Sequence, residues 1–183
     1  MLDPLLIKLL SISFALLFLL AAVHKLTSLA TFRATLAAYQ LVPDVLVAPL
    51  SICVAVFEGL LGVAWLAAWQ MSAIAVASAV LLAVYTAAIA VNLLRGRIHI
   101  DCGCGMANSA GGDAMLSWGL VARNAIMIAA ALAATLPVAG RSMGALDYVT
   151  LAAGLLTIVL LYAAANQLLN NGAAIGSWRN RHD

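Results

Sequence analysis

The residues best suited to chemistry lie in one short polar stretch, HIDCGCGMANSAGGD, at residues 99–113. Two of the chain's three cysteines, Cys102 and Cys104, are separated there by one glycine. Residues at this spacing reach disulfide distance only if the backbone turns, and Gly103 permits a turn because it lacks a Cβ. The resulting ring closes almost no loop, so it would stabilise little, whereas strain would make it a better oxidant. We therefore predict a catalytic pair that is repeatedly oxidised and reduced.

The neighbours of the cysteine pair favour reactive thiols. Arg95 and Arg97 precede the pair, and the N-terminus of an apolar segment follows it. Positive charge and a helix N-terminus both stabilise a thiolate. His99 and Asp101 have side chains that transfer protons, so we predict that they support the cysteines.

Two other interpretations of the cysteine pair remain open. With His99 and Asp101 the two thiols could bind a soft metal ion such as Cu(I) or Zn(II). The whole chain offers only three cysteines and three histidines, so a four-ligand site would require nearly all the local donors. The pair could also be two thiols without a role. We favour redox exchange without a metal, and expect Cys53, in an apolar stretch, to act as a small hydrophobic residue.

The rest of the chain is far more apolar than a soluble domain. Of its 183 residues 66% are hydrophobic and 9% are charged, where a soluble domain has about 25% charged residues. Between Val45 and Leu94 the only charged residue is Glu58. In lipid each spanning segment must satisfy its own backbone polar groups, which predicts an all-α polytopic membrane helix bundle. The expected partner is therefore the lipid bilayer, and no nucleic acid is expected.

Five apolar stretches approach the length of about 20 residues that a helix needs to cross a bilayer. They cover residues 5–23, 45–69, 72–94, 114–136 and 147–169. We expect a single membrane domain over residues 1–183, with a four-helix core plus a fifth transmembrane helix. The loop at residues 95–113 carries the cysteines.

Residues 24–44 form the longest segment outside the spans and the cysteine loop. Leu29, Phe32, Leu36 and Tyr39 recur there at helical spacing. An amphipathic helix in the membrane interface fits this pattern. An ordered surface loop that caps the bundle fits it as well.

A few polar side chains fall inside the predicted spans, where charges are costly and often functional. The long side chain of Arg123 could reach Glu58, and such a buried pair would either fix helix register or support catalysis. Asn92 and Asn124 could hydrogen-bond between helices or to a carbonyl-bearing ligand, so Asn92 is a candidate for cofactor binding. Trp118 is either an interface anchor or, close to the cysteine loop, part of a binding pocket.

The distribution of charge and the cysteine chemistry predict opposite orientations. With five spans, two Lys and Arg residues lie near the N-terminal side and seven near the side of the cysteine loop. The positive-inside rule then puts the cysteine loop in the cytoplasm. Redox-active disulfides belong to the oxidising compartment, which in a bacterium is the periplasm.

The order of several residues resembles the MauE family of methylamine utilisation proteins, which is akin to DoxX-like and vitamin K epoxide reductase-like bundles. The residues are His24-Lys25, Phe32, Tyr39, Pro43, Glu58-Gly59, Cys102-Gly103-Cys104, Trp118 and Arg123-Asn124. The resemblance covers about residues 20–130. It is most specific in the Cys-x-Cys followed by a Trp and an Arg-Asn.

The resemblance implies a membrane thiol–disulfide oxidoreductase that acts with a thioredoxin-like, membrane-anchored partner of the MauD type. Together they would support maturation of the disulfide-rich small subunit of methylamine dehydrogenase. Relatives pass electrons to a quinone in the bundle, which implies a quinone cofactor, with Trp118 and Asn92 as candidate contacts and Glu58, Arg123 and Asn124 as supporting residues. The resemblance also places the protein in a bacterial inner membrane with its cysteine loop in the periplasm, and we follow it against the charge count.

The sequence departs from these relatives in its cysteines. The epoxide reductase-like proteins use Cys-x-x-Cys, and many have a second pair after the first span, whereas residues 24–44 contain no cysteine. Any dithiol relay must therefore come from a separate protein. Two alternatives to an enzyme remain: a non-enzymatic scaffold or chaperone for the same maturation, and a small-molecule or metal transporter.

Overall fold

The predicted all-α architecture is confirmed in the computed structural model, which describes residues 2–68, 70–98, 100 and 116–179. These residues form six helices and contain no strand beyond one isolated bridge. The helices are α1 (Pro4–Thr27), α2 (Leu29–Tyr39), α3 (Asp44–Ala67), α4 (Met71–Leu94), α5 (Trp118–Ala133) and α6 (Ala145–Arg179).

Four helices, α1, α3, α4 and α6, are long and apolar enough to cross a membrane, so the chain is a multi-pass membrane protein. The fourth predicted span, at residues 114–136, corresponds to α5, which has 16 residues and is shorter. At a rise of about 1.5 Å per residue, α5 covers about 24 Å. Its predicted start at residue 114 lies outside the described residues. The fifth predicted span, at residues 147–169, lies within α6, which continues to Arg179.

Small residues bring α1 and α3 close together. A Cβ added to Gly62 would lie 2.7 Å from Leu19 Cγ and 3.0 Å from the Leu19 backbone nitrogen, so only glycine fits there. One turn away, a Cβ on Gly59 would lie 3.7 Å from Ala22 Cβ. Because hydrophobic burial drives little association in lipid, such close van der Waals contact is a main source of helix pairing.

The core lies between α1, α3, α4 and α5. Its largest buried side chain is Trp65, which stacks on Phe14 with ring centroids 5.1 Å apart and donates from Nε1 to Ser78 Oγ at 2.9 Å. Helix α5 packs along α4, and α6 packs on the outside of α1, where Leu9 meets Gly154. The apolar window of α6 has no buried residue. This arrangement is the predicted four-helix core with one added helix.

Helix α2 packs against α3 and extends the wall of the bundle beyond the end of α1. Its predicted apolar stripe is partly or fully buried, ending with Tyr39 at 6% exposure. Arg33 Nε donates to Ser51 Oγ of α3 at 3.3 Å. The prediction of a helix is therefore confirmed, and the alternative of a surface loop is wrong.

The N-terminus and the segment after α5 meet at one end of the bundle. Leu2 N donates to Pro137 O and Ala139 N donates to Leu2 O, both at 2.8 Å. Arg141 donates to Asp3 at 3.1 Å and to Asp147 at 2.9 Å. The hydrogen bond from Arg141 lowers the pKa of Asp3, which also accepts from the first turn of α1, and the two carboxylates raise the pKa of Arg141.

Candidate functional site

The cysteine loop leaves and re-enters the bundle at a single point. Leu116 N donates to Ile98 O at 2.8 Å, which joins the end of α4 to the start of α5. Cys102 and Cys104 lie between these residues, outside the described part of the chain, as do His99 and Asp101. Their predicted roles, and the metal-binding alternative, stay predictions.

A small apolar cluster lies beneath the attachment point of the cysteine loop. Its four buried members come from α2, α4 and the start of α5, and Ile100 packs against them. They are Tyr39, Ile89, Leu116 and Leu120. The cluster therefore packs α2, α4 and the segment that leads into α5 together at this end of the bundle.

Arg97 ties this end of the bundle together. Its guanidinium donates to Gln40 Oε1 in the link between α2 and α3, and its backbone N–H donates to Asn92 O at 3.0 Å. This contact confirms that the link and the cysteine loop lie at the same end. Arg95, the other arginine before the loop, is exposed.

Two buried amides lie near the base of the cysteine loop, on α4 and α5. Asn92 is fully buried; its Nδ2 donates to Ala88 O at 3.0 Å, and its Oδ1 has no hydrogen-bond partner in the described structure. Asn124 is also buried and accepts from Arg123 at 3.3 Å. Trp118, the first residue of α5, is 58% exposed, which is the position of an interface anchor.

The predicted ion pair between Glu58 and Arg123 is wrong. Arg123 donates to Asn166 Oδ1 of α6, and its guanidinium lies 5.5 Å from the ring centroid of Tyr162. Glu58 instead forms an ion pair with Lys25. The physical reason is that α1 continues to Thr27 and carries Lys25 to the level of Glu58, while Arg123 turns towards α6.

Lys25, Glu58 and Tyr85 form a polar triad inside the bundle, with one residue each from α1, α3 and α4. Lys25 is 4% exposed and Glu58 is 1% exposed. Lys25 Nζ donates to Glu58 Oε1, and Tyr85 Oη donates to the same oxygen at 2.7 Å. Lys25 Nζ also lies 4.9 Å from the ring centroid of Tyr85 and 5.1 Å from that of Phe32, within the range of cation–π attraction.

Sequence reasoning missed Lys25 and Tyr85 as members of this site. A signal for Lys25 was present, because Phe14, Phe18, Ala22 and Lys25 follow one another at intervals of three and four and all are buried. Continuing the helix past the end of the apolar run would have placed Lys25 on the inner face. Tyr85 carried no comparable signal, since a tyrosine in an apolar span is usually an ordinary core residue.

Most of this chain matches the sequence model of a known protein family. A family model described as "Methylamine utilisation protein MauE" matches residues 3–137, well over half of the chain. The chain belongs to the MauE family. The matched region contains α1 to α5 and the cysteine loop, and it ends before α6. The MauE family takes part in methylamine utilisation.

Individual MauE relatives agree with the family match. A methylamine utilization protein MauE of Paracoccus denitrificans is 37% identical over 133 residues, covering 73% of this chain and 70% of the relative. One of Paracoccus versutus is 38% identical over 158 residues, covering 84% and 82%. No solved structure matches the chain.

Proposed function

We propose that this MauE-family protein is a membrane thiol–disulfide oxidoreductase that forms disulfides during maturation of the methylamine dehydrogenase small subunit. One observation supports the proposal most strongly. Two cysteines one residue apart lie in a polar loop whose ends are joined by the Leu116–Ile98 hydrogen bond at the rim of an apolar bundle. In our proposal the thiols of this loop react with a partner outside the membrane and pass electrons to an acceptor inside the bundle.

The proposed reaction exchanges one disulfide for another. A thiolate of the partner attacks the oxidised Cys102–Cys104 bond, and we assign Cys102 as the sulfur that receives it. A mixed disulfide forms, and Cys104 leaves as a thiolate. The partner's second thiol then displaces Cys102, so the partner gains a disulfide and the cysteine pair becomes a dithiol. Two electrons and two protons have moved to this protein.

The partner is proposed to be a thioredoxin-like, membrane-anchored protein of the MauD type. The cysteine content of this chain supports that assignment, because its third cysteine, Cys53, is a single thiol on α3. A lone thiol offers no second internal pair to relay electrons to a substrate. The partner would therefore carry the disulfide onward to the dehydrogenase subunit.

A quinone would reoxidise the cysteine dithiol, because it accepts two electrons and two protons. Asn92 fits such a group: its Oδ1 is buried without a partner in the described structure and would accept from the hydroxyl of a reduced quinone. With its amide reversed, Asn92 would donate to a quinone carbonyl instead. Asn124, on the adjoining helix α5, is a second buried amide.

The periplasmic placement of the cysteine loop is part of the proposal. It opposes the Lys and Arg count, but several of the seven residues on that side are held by side-chain partners elsewhere in the chain. Lys25 pairs with Glu58, Arg97 with Gln40 and Arg123 with Asn166. Charges held by such contacts are weaker signals of orientation than charges in free loops.

Single replacements Cys102→Ser and Cys104→Ser test the function. With a partner whose second cysteine is replaced by Ser, we expect the intact pair to accumulate a mixed disulfide between Cys102 and the partner, seen as a reducible adduct by mass spectrometry. Both variants should abolish production of mature dehydrogenase, and Cys53→Ser should leave it unchanged. A membrane-impermeant thiol reagent should label the reduced loop in intact cells. If both loop variants still yield mature enzyme, the redox proposal is wrong and a scaffold role is favoured.

A further inference from the structure

Burying the Lys25–Glu58–Tyr85 triad inside the bundle costs free energy. Glu58 lies about 21 Å along α3 from the first residue of that helix, at a rise of about 1.5 Å per residue. Within the described spans it is the only carboxylate away from a helix end. Desolvation of a buried ion pair often exceeds its Coulomb attraction, so apolar residues of similar size are frequently as stable. An ionisable residue at such a depth is usually functional.

Helix register does not require the triad. Gly62 against Leu19 and Gly59 against Ala22 already fix how α1 meets α3. Nearer the other end of α3, Ser11 Oγ donates to Trp65 O. Because these contacts set the register without charge, the ion pair is free to serve another purpose.

One of the two carboxylate oxygens of Glu58 can still accept a hydrogen bond. Both neighbours, the Lys25 ammonium and the Tyr85 hydroxyl, donate to Oε1. The second oxygen, Oε2, is buried and has no hydrogen-bond partner in the described structure. An unsatisfied buried carboxylate oxygen is destabilising, and either a proton on that oxygen or a donor from a bound molecule would relieve it.

We propose that Glu58 is the carboxyl group that gives a proton to the quinone inside the bundle, with Lys25 and Tyr85 as positioning residues. This inference rests on the proposed oxidoreductase function and adds a second site to it. Tyr85 and Asn92 are seven residues apart on α4, and Ile89 lies buried between them. That spacing puts all three on one helix face, about 10 Å from first to last. The triad therefore lies below Asn92 on the inner face of α4.

The proton and electron balance closes without a further reactant. Oxidation of the Cys102–Cys104 dithiol to a disulfide releases two electrons and two protons. A quinone takes up both electrons and both protons as it becomes a hydroquinone. Glu58 gives one of these protons from Oε2 and becomes a carboxylate held by Lys25 and Tyr85. One proton released by the thiols then restores the carboxylic acid, and the other goes to the second quinone oxygen.

The test separates the two half-reactions in detergent-purified, full-length protein. Glu58→Gln keeps the shape of the side chain and removes its exchangeable proton. We expect quinone reduction by the reduced cysteine pair to fall about a hundredfold or more, as for loss of a general acid. Disulfide exchange with the thioredoxin-like partner should be unchanged. Ser11→Ala, another buried polar replacement between α1 and α3, should retain both half-reactions.

Infrared difference spectroscopy supplies a readout independent of turnover. The carboxylic acid C=O band of Glu58 should change when the cysteine pair is oxidised by a soluble quinone, and it should be absent in Glu58→Gln. Tyr85→Phe keeps the ion pair and removes the hydrogen bond that the Tyr85 hydroxyl donates to Oε1, so it should shift this band. If Glu58→Gln does not fold, the Tyr85→Phe spectrum alone tests whether the carboxylic acid band belongs to Glu58.

Each result has a single interpretation. Unchanged quinone reduction in Glu58→Gln, or a carboxyl band unaffected by both variants, overturns the proton-donor role. Equal loss of both half-reactions in Glu58→Gln shows a structural role and overturns it too. Wild-type protein that never reduces a quinone, despite intact thiols, overturns the oxidoreductase proposal itself.

Discussion

Two ion-pair clusters occur in the described part of the chain, and their surroundings differ sharply. Lys25, Glu58 and Tyr85 are enclosed by three helices and the ring of Phe32. Asp3 and Asp147 meet Arg141 at the end of the bundle, where the Arg141 side chain is 48% exposed. Water and dissolved salt screen the charges of the second cluster. The buried charges of the first cluster are screened much less. The same pairing of charges therefore serves different ends: one links chain segments, and the other holds charge inside the membrane.

The largest expected effect comes from removing one member of the buried pair. Lys25→Met leaves Glu58 without its cation and should destabilise the protein by about 3–5 kcal/mol. Thermal or denaturant unfolding in a single detergent measures the change. The double variant Lys25→Met/Glu58→Leu removes both charges and should recover most of the loss. If the double variant is as unstable as the single one, burial of an unpaired charge is not the cause.

An uncharged contact between the same helices should have a smaller effect. Gly62→Ala places a methyl group 2.7 Å from Leu19 Cγ and 3.0 Å from its backbone nitrogen. Overpacking of this kind typically costs about 1–3 kcal/mol, measured by the same unfolding assay. Gly140→Ala is the matched control, because no atom lies within 4 Å of the added Cβ. Equal stability of the two variants would contradict close packing of α1 on α3.

The smallest effect is expected at the exposed cluster, from Asp3→Asn. The hydrogen bond from Arg141 lowers the pKa of Asp3, so the ionised carboxylate favours the folded state. This stabilisation is fully present above the unfolded pKa, about 3.9, and is lost as the pH falls through the lower folded pKa. Wild type and Asp3→Asn should therefore differ slightly in unfolding temperature near neutral pH and converge in acid. Added salt should also narrow the difference, and a difference that grows in acid would contradict this assignment.

Apolar runs were sufficient to predict that the fold is a helix bundle, whereas helical spacing was compatible with α2 but also with a surface loop. The end of α1 could not be placed in the same way. The apolar run stops at Val23, but the helix continues because Lys25 finds a carboxylate on α3, a contact 33 residues away in sequence. Hydropathy describes where lipid tolerates a residue, and it does not describe which neighbour a polar side chain will meet.

Side-chain direction explains the error at Glu58. Arg123 and Glu58 occupy compatible depths, so depth alone made their pairing reasonable. Which way each side chain turns depends on the rotation of α3 and α5 about their axes, and that follows from packing across the whole core. The cysteine pair shows the opposite case. Its chemistry is predicted from residue type and spacing, while both cysteines lie outside the described residues.

The position of Lys25 at the C-terminal end of α1 has an electrostatic consequence for the triad. Lys25 stands in the last turn of α1, where the helix dipole favours a positive charge. A lysine in this position keeps a favourable counter-charge even when the facing glutamate is neutral. Glu58 would then be able to alternate between acid and anion without leaving a bare cation in lipid.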